Sequence, residues 1–177
     1  MYTRKIDIEI VKSNKFITLL LISKSKTMTS AESDRQIVSR IELAAFSNAM
    51  ALSMGIEIIK LARSRNQAIA VEIARLNHTI FLFIDDCLAK DKQNWLRRKA
   101  NVAKQFEESS LVVKNDLLKG NMNLKTTFGL DENDFLAKGG AIPIFVKNAG
   151  LIATITVSGL SDEGDHNIIV EALNGKF

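Results

Sequence analysis

The stretch AIAVEIARLNHTIFLFIDD, residues 68–86, decides the reading of this chain. AIAVEIARL at 68–76 and TIFLFIDD from 79 are apolar, β-branched and aromatic runs of strand length. Asn77 and His78 between them are turn formers, so the segment reads as a β-hairpin. A second pair of runs, AIPIFVK from 141 and LIATITVSG from 151, is joined at Asn148-Ala149-Gly150 and reads the same way. Two hairpins separated by helical sequence predict an antiparallel sheet with helices packed on it rather than a parallel βαβ array.

Upstream, IELAAF at 41–46 is a short apolar stretch consistent with a first strand, and residues 29–40 are polar with a helical tendency. Ser47 offers an N-cap for a helix over 48–65, where Ser53, Glu57, Lys60 and Ser64 collect on one face and Asn66 closes the end. The rest of that helix is apolar over more than half its circumference, which predicts packing against more than one layer or against another subunit; the 46% hydrophobic content suits a globular chain. A second helix is expected from Trp95, capped by Asn94, to about Ser109, with Leu96, Ala100, Ala103 and Phe106 as its buried stripe. The chain is irregular after Gly120, with a short helix near 131–137. A closing helix follows Ser161 and ends at Gly175, its first turn carrying Asp162, Glu163 and Asp165 at the positive end of the helix dipole.

Charge divides the chain at Met28. Residues 1–27 hold Arg4, Lys5, Lys12, Lys15, Lys24 and Lys26 against Asp7 and Glu9, so they account for the whole formal net charge of +4, and residues 28–177 are neutral. A neutral body argues against nucleic-acid binding, which needs clustered cations to neutralise phosphates. Residues 1–27 read either as an extension whose Ile6, Ile8, Ile10 alternation makes a strand, or as translated sequence upstream of a start at Met28; the charge break favours the second. Residues 28–177 then form a single domain. The apolar run Phe16–Ser23 is too short to span a bilayer and precedes no small-residue cleavage site, and the single cysteine, Cys87, excludes an intrachain disulfide. A cytoplasmic protein without membrane partners is expected.

No Walker-type loop, dinucleotide-binding glycine fingerprint or nucleophile elbow is present, so no catalytic constellation is recognised. Two histidines and one cysteine give no recognisable metal set. The residues left are few. His78 falls at a turn, where a solvated side chain is usual. His166 lies beside Asp165 in the first turn of the last helix, just after Val157-Ser158-Gly159, where backbone amides and the helix dipole converge on an anion. It either caps and packs or contributes to a ligand site. Arg97, Arg98 and Lys99 stand near a helix start, where the dipole disfavours each cation by about 0.3–1 kcal/mol. Pairing with acidic residues or a bound anion offsets that cost. Trp95 either anchors the helix in the core or stacks on a planar ligand.

Trp-Leu-Arg-Arg-Lys at 95–99, Ser109-Ser110, Gly-Gly-Ala-Ile-Pro-Ile at 139–144, Val-Ser-Gly-Leu at 157–160 and Asp165-His166 together resemble a family of small uncharacterised proteins within the haem-degrading-domain (GlcG/HbpS-like) superfamily, over about residues 41–177. The resemblance implies an α+β, profilin-like fold, a five-stranded antiparallel sheet with helices on both faces, and assembly into homo-oligomers. It implies no fixed reaction. The implied ligand is small, anionic or planar, with haem among the candidates as cofactor, and the implied ligand-binding residues are Trp95, Arg97, Arg98, Ser158, Gly159, Asp165 and His166. On this reading Arg97 or Arg98 lies close to Asp165 or His166. A non-catalytic oligomeric scaffold is the alternative. The chain departs from the family pattern at Ser161 in place of a proline, at Ile142 in place of an aromatic, around Leu82-Phe83 in place of a histidine, and at Cys-Leu-Ala-Lys-Asp-Lys, 87–92, in place of a Pro-Gly loop.

Overall fold

In the computed structural model the described residues are 9–12 and 37–177. The reading of residues 1–8 and 13–36 as extension or polar helix lies outside them. Strand β1 (Glu9–Lys12) and strand β2 (Val38–Leu43) pair antiparallel; of the alternating Ile6, Ile8 and Ile10 only Ile10 lies among the described residues, and it falls in β1. Helix α1 (Asn48–Ser64) follows, with the Ser47 side chain accepting from the Met50 amide as expected. The first hairpin is β3 (Ala70–Arg75) and β4 (His78–Ile84). Its turn falls on Leu76-Asn77 rather than Asn77-His78, and Leu76 adopts a left-handed φ of 52°.

Helix α2 (Lys92–Phe106) begins three residues earlier than the Asn94 cap implies, after Asp91. It stops at Phe106 because Glu107 turns left-handed at φ 55°. Ser109 then caps a separate helix α3 (Ser110–Lys119), in a stretch for which the sequence suggests no element. Asn123 caps a short α4 (Leu124–Phe128), while residues 131–135 make a single turn held by Asp131 instead of the expected helix. Strands β5 (Ala141–Val146) and β6 (Gly150–Ser158) form the second hairpin, and α5 (Asp162–Leu173) closes the domain.

The sheet order is β1-β2-β5-β6-β3-β4. Five strands belong to the body and β1 adds a sixth at one edge. All neighbours are antiparallel except β2 and β5, which run parallel, so the sheet is mixed rather than fully antiparallel. Hairpin turns fix the direction of the strands they join, but β2 meets β5 only after the chain has traversed a hairpin and four helices, and no local signal sets that direction.

Alternation along the strands separates two faces. Ile69, Val71, Ile73, Ile142, Ile144, Ile155 and Val157 point to one side, where Ala51, Met54 and Ile58 of α1 and Ile168, Ile169 and Ala172 of α5 complete the main core. The other side is small and polar, with Ala70, Ala141, Thr154, Thr156 and Ser158 all buried beneath α2. Small residues there let α2 approach closely, and Val102, Val113, Leu117 and Leu124 bind α2, α3 and α4 together in a second cluster. Among the described residues no helix is long and apolar enough to cross a membrane.

Candidate functional site

Two glycines set the geometry where the sheet ends. A Cβ on Gly139 would lie 2.0 Å from the Asp162 carbonyl, and one on Gly140 would lie 2.5 Å from the Val157 carbonyl and 3.3 Å from Lys99 Nζ. Gly140 also holds a φ of +108°, a region L side chains rarely adopt. These positions bring the start of β5, the end of β6, the first turn of α5 and the middle of α2 into one contact.

Lys99 crosses it. The residue is 2% exposed, and its ammonium donates to Asp165 Oδ2 at 2.7 Å and to the Val157 carbonyl at 3.1 Å. Asp165, equally buried, accepts from the Leu160 amide at 2.8 Å with its other oxygen. Burial pushes the Lys99 ammonium below and the Asp165 carboxyl above their ordinary pKa values, and the attraction between them opposes both shifts. A matched pair with two further hydrogen-bonding groups, the Val157 carbonyl and the Leu160 amide, is the arrangement a buried ion pair needs. Beside it, Lys114 and Asp162 pair at 2.5 Å and fasten α3 to α5, while Ser110 Oγ accepts from the Ala141 amide at 2.9 Å.

The arginines go elsewhere. Arg97 is exposed and binds Asp134 Oδ1 at 2.8 Å, the Asn133 carbonyl at 2.7 Å and Asn94. Arg98 donates to the Glu132 carbonyl at 2.8 Å. Both tie the 131–135 turn to α2, and the expected meeting of Arg97 or Arg98 with Asp165 is made instead by Lys99. Because α2 starts at Lys92, the three cations also lie beyond its first turn, where the dipole penalty is smaller. The signal for Lys99 was in the sequence: it sits three residues from Leu96 and four from Ala103, within the stripe read as buried, whereas Arg97 and Arg98 flank that stripe.

Trp95, half-buried, precedes Lys99 by one turn on the same side of α2. Its indole donates to Asp91 Oδ2 at 2.9 Å and lies under the Lys92 ammonium, 5.4 Å from the ring centroid, so it clamps the start of α2. Ser158 is buried and Gly159 exposed, the latter at φ +146° with Ala68 O 2.5 Å from where a Cβ would sit. An open groove on this side of the domain is lined by Asn101, Lys104, Gln105, Asp134 and Phe135; it adjoins the partner of Arg97 and includes none of Trp95, Asp165 or His166.

His166 is 2% exposed, and neither ring nitrogen has a hydrogen-bond partner among the described residues. Burial lowers its pKa to about 4, which keeps the imidazole neutral. His78 is exposed at the start of β4. Among the described residues no cluster of His, Cys, Asp and Glu is placed to hold a metal ion.

Comparison with known proteins agrees with this architecture. The family model described as haem degrading protein HbpS-like matches residues 46–174. A UPF0303 protein of Zymomonas mobilis is 36% identical over 133 residues, covering 75% of this chain and 72% of its own. The crystal structure of the Ybr137w protein superposes with a TM-score of 0.68 at 27% identity, over 75% of this chain and 78% of that one. The PduOC:heme complex shares the fold, with a TM-score of 0.61 at 16% identity over 73% and 96% of the two chains. The match over most of the domain, and the sheet and helices that carry it, place this chain in the HbpS-like family of haem degrading proteins, with UPF0303 proteins as its relatives.

Proposed function

We propose that this protein is a cytoplasmic homo-oligomer that binds a small anionic or planar ligand at the end of the sheet, with no assigned reaction. His166 is the observation that carries the reading. An enclosed polar group without a hydrogen-bond partner costs about 1–3 kcal/mol, and such groups persist where a site makes use of them. On α2 the half-buried Trp95 and Arg98 offer a ring face and a planar cation, and Ser158-Gly159, just before α5, offers backbone at a turn.

Haem is a planar, anionic member of this ligand class, and the family name brings it into question. The imidazoles do not fit axial ligation of its iron within one subunit: each His166 ring nitrogen has less than 1 Å² accessible, and His78 stands exposed on a hairpin. Leu82 and Phe83 supply no ligand either. Neither imidazole therefore serves the haem iron within one subunit.

Thermal-shift screening of wild type and Arg98→Ala against haem, inorganic phosphate and small planar carboxylates tests the proposal. Stabilisation by one class, reduced in the variant, is expected; none from any class would leave the scaffold reading. Absorbance titration with haem tests the fit separately. A saturable, shifted Soret band that His166→Ala abolishes would show that the imidazole is reachable after all. The scaffold reading has its own support, because Lys99, Arg97 and Arg98 all find partners inside the subunit and require no anion.

A further inference from the structure

We infer that the edge formed by β4 and the adjoining flank of α1 is a docking surface for a second copy of this chain, by antiparallel pairing of β4 with its counterpart. The inference rests on the homo-oligomer reading above and specifies which surface serves it.

Among the described residues β4 is the outermost strand at its end of the sheet. It reads HTIFLFI, with no lysine, carboxylate or proline, and none of its residues is buried, whereas four of the six in neighbouring β3 are. A bare apolar edge of this kind presents a row of unpaired amides and carbonyls, the feature that monomeric proteins blunt with charge or proline. Leu82 is 40% exposed.

The apolar surface continues onto α1. Leu52 and Ile56, 51% and 39% exposed, share a helical stripe with Ile59 and Arg63. Arg63 places its guanidinium 5.6 Å over the Phe83 ring of β4, so this stripe leans toward the edge strand. The opposite flank of α1 is occupied, since Glu57 pairs there with Lys176 beyond α5. Below α1, Gly55 packs against the Phe81 ring, which fixes the helix over β4.

Charge at the two ends of β4 identifies the occupant. Arg75 and His78 lie at the hairpin tip, where Lys104 also reaches Asn77 Oδ1 at 2.9 Å. Arg75 binds the carbonyl and ring of Phe46 and, among the described residues, no carboxylate. At the other end stand Asp85 and Asp86, and neither forms an ion pair among the described residues. Two copies of β4 paired antiparallel about Leu82 lay each basic tip against the other's acidic end and set apolar side chains opposite one another. Parallel pairing would set acid against acid. A two-fold, antiparallel arrangement of identical chains therefore satisfies the backbone, the apolar side chains and the charge together.

A mixing experiment tests this. Asp85→Lys/Asp86→Lys places cation against cation across the two-fold, and Arg75→Glu/His78→Glu places anion against anion. Each variant alone should fall to about half the wild-type mass or less by light scattering at micromolar concentration, because one isologous contact is lost. Mixed in equal amounts they should recover the wild-type mass, since every end then meets its opposite. Variants that keep the wild-type mass, or a mixture that stays at half mass, overturn the inference while the homo-oligomer reading stands. A monomeric wild type removes both. Hydrogen exchange on unmodified protein provides a reading independent of any variant: the outward amides of residues 79–84 should be protected at high concentration and exchange freely on dilution, and fast exchange under both conditions in an oligomeric protein would also overturn it.

Discussion

Arg97, Arg98 and Lys99 are consecutive, yet α2 sends them to two different environments. Lys99 turns under the helix into a site where it is 2% exposed and must be neutralised, and it meets Asp165 and the Val157 carbonyl. Arg97 and Arg98 turn outward and hold a surface turn through Asp134 and the carbonyls of residues 132 and 133. One residue of helical phase separates a group whose loss leaves a charge stranded in the core from groups whose loss leaves water in their place. Positive charge along a sequence is therefore a poor guide to what each cation does until the buried stripe of its helix is known.

The largest effect is expected from breaking the buried pair on one side. Lys99→Met leaves the Asp165 carboxylate without its counter-charge and should cost about 3–5 kcal/mol in urea or thermal unfolding. Lys99→Met/Asp165→Asn should recover most of that, since the asparagine carbonyl still accepts from the Leu160 amide and no net charge stays buried. A double variant as unstable as the single one would mean that the ammonium itself, rather than neutrality, holds α2 to the sheet.

His166 comes next, because it sits beside Asp165 but lacks any hydrogen-bond partner among the described residues. Its folded pKa of about 4 lies below the ordinary 6.5, so between those values the unfolded chain binds the extra proton. Stability from this group is complete above pH 6.5 and is lost as pH falls toward 4, by roughly 3 kcal/mol over the window. Asp165, whose carboxyl is raised, takes up its proton earlier in the folded state and opposes part of this loss in acid. The difference in pH slope between wild type and His166→Leu isolates the histidine; equal slopes would mean that the ring is protonated or solvated in the folded protein.

Arg97→Ala sharpens the contrast from the other side. Its salt bridge is about half exposed at both ends, so the loss should be no more than about 1 kcal/mol and should shrink in high salt. A cost near that of Lys99→Met would show that the 131–135 turn is coupled to the core.

What could be read from residues alone divides along the same physical line. Local signals were sufficient for α1, where Ser47 and the polar spacing at 53, 57, 60 and 64 locate the helix to within a residue, and for β5 and β6, joined at Asn148 and Gly150. Ser109-Ser110 was legible as a family motif and as the approximate end of α2 but not as the start of α3, and the left-handed turn at Glu107 has no glycine to announce it. The parallel β2–β5 pair depends on contacts between segments about a hundred residues apart, for which no local pattern exists. At the site, Asp165 and His166 stand where the last helix was expected to begin, and both are buried. The error was the choice of cation, made from the type of residue and its proximity to a helix start rather than from its position in the buried stripe.

The smallest effect is expected from removing residues 1–27. Within the described residues that segment contributes β1, which pairs with β2 alone at the edge opposite β4. The β2 strand it would expose is six residues long and carries Arg40 and Glu42, an ion pair at 2.8 Å, so its bare edge is already protected by charge. The excess positive charge leaves with the segment, and the remaining domain is neutral. We therefore expect residues 28–177 to fold with an unchanged circular dichroism spectrum, to melt within a few degrees of the full chain, and to keep its mass by light scattering, since the proposed docking edge lies at the far end of the sheet. Salt dependence of solubility is the one property that should move, because a chain without net charge repels its neighbours less. A truncated protein that aggregates or fails to fold would make β1 a structural strand of the domain, and one that folds but loses mass would move the subunit contact from the β4 edge to the β1 edge.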